Sequence, residues 1–480
     1  MKKKKGIKKQ NEAALLASLF GWPEVKQKGG LKADYEDTLF AAGFVHRIEL
    51  RFAEADWTDL LKNPLNKTRY SVDITIDGET LKNVALSTKG VSNLVFPSLK
   101  PGNQRYSFKI QFGKNIKDQT YHGLDKLDLN CCFRDTTLMK DTFSYRLFRI
   151  AGVPAPLTGH AWVTINGKDH GLYLMVEKPE ESFLARNFGT GVLYKPCTND
   201  MQMTAEEAKY LEENGVPEGY YETEKPHGAD FAYIDDDPAS YPDIFEHRKT
   251  KGGRKDDAAV IASLKTLSQG KKLKKGLDTH EIIRYFAAHN FLLNLDTYTG
   301  IALHNMIICE KDGILSVMPW DYNLAFGTYV SGIGKEVLED PTNLVNQGID
   351  TPLIDTEEKD RPLWAWIMRE EKYRQEYHDV LSALIKGYFE SGVFEDEFNA
   401  LQGMLVPYQE KDPNAFYSKE EFQKGCDVLR QFCLRRAQSI RKQLSGELAM
   451  DSTKQNDRDK VSASDLHVTD MGVYAYLPKE

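Results

Sequence analysis

Residues 294–327, NLDTYTGIALHNMIICEKDGILSVMPWDYNLAFG, constrain the fold more than any other part of the chain. Two apolar runs, 303–309 and 314–320, flank a Lys311-Asp312-Gly313 turn, and Asp-Gly between hydrophobic runs is a strong hairpin signal. A hairpin returns the chain to where it started, so Asp296 and Asp321, just outside its two ends, are expected to share one site. Such a carboxylate pair suits phosphoryl transfer, where one member orients the attacking hydroxyl and the other holds magnesium. Upstream, Asp278 is placed to cap a helix, Glu281 sits three residues on, and Ile282, Ile283, Phe286, Ala287 and Leu293 follow at helical spacing. Asp296 then lies just past a helix end, where aspartate is also a common turn former. Its chemical role therefore rests on the pairing with Asp321.

Residues 44–112 are β-rich, with alternating Val72, Ile74 and Ile76 before an Asp77-Gly78 turn. In RYSFKIQF, Tyr106, Phe108, Ile110 and Phe112 alternate on one face, which puts Lys109 on the other. The preceding Ser87 to Asn93 stretch, STKGVSN, breaks the strand pattern with small polar residues able to present backbone N–H groups to phosphate. A helix is expected over 136–151, with Met139, Phe143, Leu147 and Ile150 as its apolar stripe. Asp135 at its mouth and Asp141 within it are candidate partners for Lys109. An Asn166-Gly167 turn then marks a second hairpin, ended by Glu177.

The order of parts predicts an α+β chain with a bilobed layout. A basic tail and N-terminal extension span 1–43, a β-rich lobe 44–178, and a mostly helical lobe 179–445 with a charged surface insertion at 196–276. Residues 446–480 read as a flexible polar tail. At 480 residues, 41% hydrophobic and 28% charged, the chain is long enough for ordinary cores. No apolar run reaches the length of a membrane span, and a net charge of −8 gives no general attraction to nucleic acid. The lysine-rich start reads as a solvated tail in preference to a signal peptide. Six cysteines without CxxC spacing read as reduced thiols, Cys426 and Cys433 sharing a buried helix face. Eleven scattered histidines, none in HExxH, argue against a zinc hydrolase.

Eight short motifs occur in one order across roughly 45–440: TKGVSN, RYSFKIQF, YHGLDKLDLN with Arg134-Asp135, GVPAP, NGKDHGLYLMVE, LYKP, NLDTYTG with His304-Asn305, and PWDYNLAFG. By these the chain resembles the spore-coat protein H (CotH) kinase family, whose fold is similar to that of protein kinases though highly diverged. The resemblance implies an ATP- and Mg2+-dependent enzyme that phosphorylates serine or threonine of a protein such as a spore-coat component. It implies Asp296 as the catalytic aspartate, Lys109 on the nucleotide phosphates, and Asp321 as metal ligand with Asn305 and Asn323 beside it. Lys89, Gly90 and Ser92 would form the phosphate loop, and Glu177 would begin the hinge beside adenine. The chain departs from the family where Ser87 and Val91 replace an arginine and an asparagine of that loop. It departs from ordinary kinases in lacking HRDxxxxN.

Two other readings use the same residues. A nucleotide bound in the reverse sense would transfer AMP from the same site, and a chain with a weakened phosphate loop would be a non-catalytic, nucleotide-binding coat or scaffold protein. The resemblance is compatible with a cytoplasmic or spore-coat location and with export.

Overall fold

The computed structural model describes residues 29–198, 203–214, 226–329 and 336–473. The lysine-rich start lies outside them. Seven strands, β1 (Val45–Arg51), β2 (Tyr70–Ile76), β3 (Glu79–Thr88), β4 (Phe108–Gln111), β5 (Lys126–Asn130), β6 (Thr158–Ile165) and β7 (Lys168–Glu177), close a barrel in the order β1-β2-β3-β4-β5-β7-β6. Neighbours are antiparallel except β1 and β6, whose parallel pairing closes it. Alternation decides what fills the barrel. Leu86, Ile110 and Leu127 lie opposite one another and point inward, while Ser87, Lys109 and Asp128 form the adjacent outward row.

β7 serves two cores. Tyr173 and Met175 face the barrel interior, whereas Leu172, Leu174 and Val176 pack against the helical half, so the strand reads as a continuous apolar run. The helical half surrounds a three-stranded sheet of β8 (Val192–Tyr194), β9 (Met306–Lys311) and β10 (Ile314–Pro319). The helices include α1 (Ser92–Leu99), α2 (Lys140–Ile150), α3 (Arg254–Gln269), α4 (Thr279–Leu292), α5 (Pro362–Arg369), α6 (Glu371–Leu384), α7 (Val393–Gln409) and α8 (Lys419–Ser445), the first two lying among the barrel strands in sequence. The chain is α+β, and none of the described helices is long and apolar enough to cross a membrane. Cys426 and Cys433 lie buried in α8 as free thiols.

Three expectations are corrected. The helix expected from 136 starts at Lys140, because the Asp135 carboxylate accepts from the Thr137 and Lys140 N–H groups and holds 136–139 in an irregular turn. The stretch 196–276 is more than a surface insertion, since α3 buries Val260, Ile261, Leu264 and Leu267 in the main core. Residues 446–473 are not a loose tail: Val461, Ala463, Leu466, Val468 and Met471 are buried, and the Lys140 ammonium donates to the Gly472 carbonyl at 2.8 Å. Sparse apolar residues suffice there because each meets a core already built by the helices.

Candidate active site

Asp278 caps α4 by accepting the Glu281 N–H, and Leu293 ends the helix in the left-handed region at φ 50°. The turn releases Asn294, whose buried side chain joins the two ends of the hairpin. Its Oδ1 accepts the Asp296 N–H and its Nδ2 donates to the Asp321 carbonyl, both at 3.2 Å. The hairpin forms as expected, with Asp312 and Gly313 both at positive φ and Met306 paired with Pro319. Asp296 and Asp321 are thus brought together.

The Asp296 carboxylate is held on both oxygens. Oδ1 meets His304 Nε2 and Oδ2 accepts from Asn305 Nδ2, each at 2.9 Å. His304 Nδ1 faces the Ala302 carbonyl at 2.9 Å, so both ring nitrogens face acceptors and the ring is suited to the imidazolium form. Burial opposes that charge, but Asp296 outweighs it and raises the histidine above its ordinary range. Asn305, expected as a metal ligand, commits its amide nitrogen to the carboxylate and carbonyl of Asp296. Leu293, Leu303, Asn305, Asp321 and Phe326 all have positive φ, a local concentration of strained backbone of the kind that marks functional sites.

Asp321 is fixed through its backbone. Its N–H donates to Tyr145 Oη, and the next N–H, of Tyr322, donates to Asp141 Oδ1, each at 2.9 Å. The Tyr322 hydroxyl in turn meets His289 Nδ1 at 2.8 Å, and His289 Nε2 meets Thr299 at 2.6 Å. Burial, then the nearby Asp321 charge, push the Asp141 carboxyl up to about 8. Asp135 belongs to the α2 cap and Asp141 to the Tyr322 amide, so neither is the lysine partner expected for Lys109. Asn323 is half-buried two residues after Asp321.

The carboxylate that does hold lysines on this face is Asp128, which the sequence reading missed; its partners are Lys89 and Lys178, not Lys109. Asp128 Oδ2 lies 2.8 Å from Lys89 Nζ and 2.9 Å from Lys178 Nζ. Lys89 also donates to Asn130. Both ammoniums approach the Trp320 ring, at 5.9 and 4.5 Å from its centroid, and so carry the barrel's outer face onto the residue before Asp321. Burial opposes ionisation of Asp128, but Lys178 and Lys89 outweigh it and hold the carboxyl down at about 2. Lys89 stays above its ordinary range because Asp128 and Asp321 outweigh burial, whereas burial lowers Lys178 to about 8. The available signal was parity: in KLDLN, Asp128 falls on the same outward row as Lys109.

The expected phosphate loop is a strand-to-helix turn: Gly90, at φ 107°, swings the chain from β3 toward α1, which begins at Ser92. Glu177 is corrected. Its carboxylate is fully buried, bonded to Arg186 at 2.6 and 2.9 Å and to the Tyr35 hydroxyl and Leu157 N–H. These partners occupy both oxygens, and the Glu177 N–H donates to the Leu157 carbonyl, so the residue holds the end of β7 and its side chain is closed to adenine.

The family model described as "CotH kinase protein" matches residues 88–440. The chain belongs to this family. It is 23% identical over 414 residues to the inner spore coat protein H of Bacillus subtilis (strain 168), covering 84% of this chain and 96% of that protein. A shorter match, 29% over 98 residues, covers 20% of this chain and 30% of the inner spore coat protein H-like protein of the same organism. The CotH family match spans the barrel's later strands, the hairpin and most of the helical half.

Proposed function

We propose that this CotH-family chain is an ATP- and Mg2+-dependent protein kinase that transfers the γ-phosphate to serine or threonine of a protein. The observation that carries the reading is the joint tethering of Asp296 and Asp321 by Asn294, beside the lysine-bearing face of the barrel. In this reading the barrel is the nucleotide-binding lobe of a diverged, bilobed kinase-like fold and the helical half is the other lobe. Asp321 and Asn323 carry hard oxygen donors two residues apart, the donor chemistry magnesium takes. Magnesium would keep waters and substrate phosphates as its remaining ligands. Bound magnesium and ATP would supply charge neutralisation and the transferable phosphoryl group.

Asp296 orients the acceptor hydroxyl and takes its proton as the new O–P bond forms and ADP departs. Asn305 and His304 keep the carboxylate aimed, so positioning contributes much of the rate. The spore-coat name of the relative supports a coat or surface protein as acceptor and the spore coat as location. The test is incubation with magnesium, ATP and a serine-rich protein, read by intact mass. A phosphate-sized gain supports the kinase. An AMP-sized gain replaces it with adenylyl transfer, and no gain without nucleotide binding replaces it with a scaffold.

A further inference from the structure

Lys89, the lysine of the loop motif, is already partnered, as are two lysines near it. Lys89 and Lys178 share Asp128, and Lys126 is paired with Glu180. Three other half-buried lysines are not: Lys109, Lys195 and Lys249 make no ion pair or side-chain hydrogen bond among the described residues. Backbone register fixes two of them. The Lys195 N–H donates to the His247 carbonyl and the Lys249 N–H to Leu193, with Tyr194 opposite Arg248 between them. Tyr194 and Arg248 both turn to Asp257 on one face of this ladder, so Lys195 and Lys249 are diagonal neighbours on the other. β8 pairs Tyr194 with Ile308, which places Lys195 beside the start of the hairpin, close to His304 and Asp296.

Lys109 approaches from the barrel's outward row. Burial lowers the Lys249 ammonium, Lys195 and Lys109 lower it further, and Glu180, which Lys126 already holds, raises it. Gathering three like charges with no carboxylate in ion-pair contact opposes folding, and a multiply charged anion is what would offset it. Polyphosphate fits better than a lone carboxylate because its charge is spread over several oxygens that reach ammoniums on two sides of a cleft.

We propose that Lys109, Lys195 and Lys249 form a polyphosphate-binding site beside Asp296, the seat of a nucleotide's phosphate tail. The proposal deepens the kinase reading and rests on it for the identity of the nucleotide. Lys195 and Lys249, from the LYKP and HRKT segments, are the new assignments.

The full chain is titrated calorimetrically with tripolyphosphate, ATP, AMP and hexaglutamate at fixed ionic strength. Tripolyphosphate and ATP are expected to bind at least tenfold more tightly than AMP or hexaglutamate. Lys195→Met with Lys249→Met, which keeps the aliphatic stems, should weaken tripolyphosphate about a hundredfold, roughly tenfold per lost charge-assisted contact. The thermal midpoint should hold or rise, since repulsion is relieved, and the paired Lys→Arg variant should retain most of the affinity. An affinity within twofold of wild type in the Met pair, equal binding of hexaglutamate, or a lowered midpoint overturns the site. Tripolyphosphate binding that depends on these lysines, in a protein that never transfers phosphate, sinks the kinase reading and leaves the site standing.

Discussion

Asp296 and Asp321 hang from one side chain, the amide of Asn294, which accepts from the backbone of the first and donates to the backbone of the second. The separation of the two carboxylates is therefore set by a group that need touch no substrate. Asn294→Ala removes both bonds and leaves a buried N–H and carbonyl to find water, at about 1–3 kcal/mol of stability. Phosphate transfer should fall about a hundredfold, as expected of a misplaced catalytic group. Asp321→Ala should abolish transfer with the fold intact, since the bonds that Asn294 and Tyr145 make to its backbone remain. Turnover assays beside urea melts check both, and undiminished turnover in Asp321→Ala would remove the metal assignment.

In the proposed kinase reaction His304 would act through Asp296, whose carboxylate it meets at 2.9 Å. Its ring is fixed between the Ala302 carbonyl and the carboxylate, so it orients without meeting nucleotide. His304→Gln should lower kcat by about ten- to a hundredfold while leaving the KM for ATP within twofold, the pattern of a lost interaction that matters to the transition state. A rise in KM at constant kcat would instead place the histidine in nucleotide binding.

Asp128, itself buried, holds two half-buried ammoniums at once. Asp128→Asn strands both, and breaking a buried pair by removing one partner typically costs about 3–5 kcal/mol. Removing one ammonium in the same background, with Lys178→Met, should restore a measurable part of the loss. Chemical melts of the two single variants and the double variant complete the cycle, and strictly additive losses would refute the shared ion pair.

Much of this site was legible because its key elements are local. The Asp-Gly turn, the apolar runs and the Asp278 cap each declare themselves within a few residues, so the meeting of Asp296 and Asp321 followed from the hairpin alone. Strand parity likewise placed Lys109 on the outward row. The partnership of Lys89 with Asp128 was not legible, because it joins the end of β3 to β5 across β4, and only the register of the three strands brings the two side chains together. Glu177 misled for a related reason: its partners Arg186 and Tyr35 come from separate segments, and a buried, fully bonded carboxylate looks in sequence like an available one. The polar residues 446–473 read as a flexible tail because their few apolar side chains are buried only by packing back on α8 and the core behind it, which local composition does not show.

Acid should unfold the chain before its carboxylates titrate. Burial pushes His160 down to about 4 and His170 and His289 down to about 3, so all three stay neutral in the fold below the pH at which an exposed histidine charges. As pH falls from about 6.5 to 4, the unfolded chain binds three protons there that the folded chain does not, and stability is lost. Asp141 works the other way, because with its carboxyl at about 8 the folded chain already carries a proton that the unfolded chain takes up only near pH 4. Three protons less one leaves a net two, a slope of at most about 2.7 kcal/mol per pH unit. The denaturant midpoint should therefore drop steeply between pH 6.5 and 5, and His289→Gln should remove about one proton from that slope. A midpoint independent of pH over this interval would mean that the three buried rings are not held neutral by the fold.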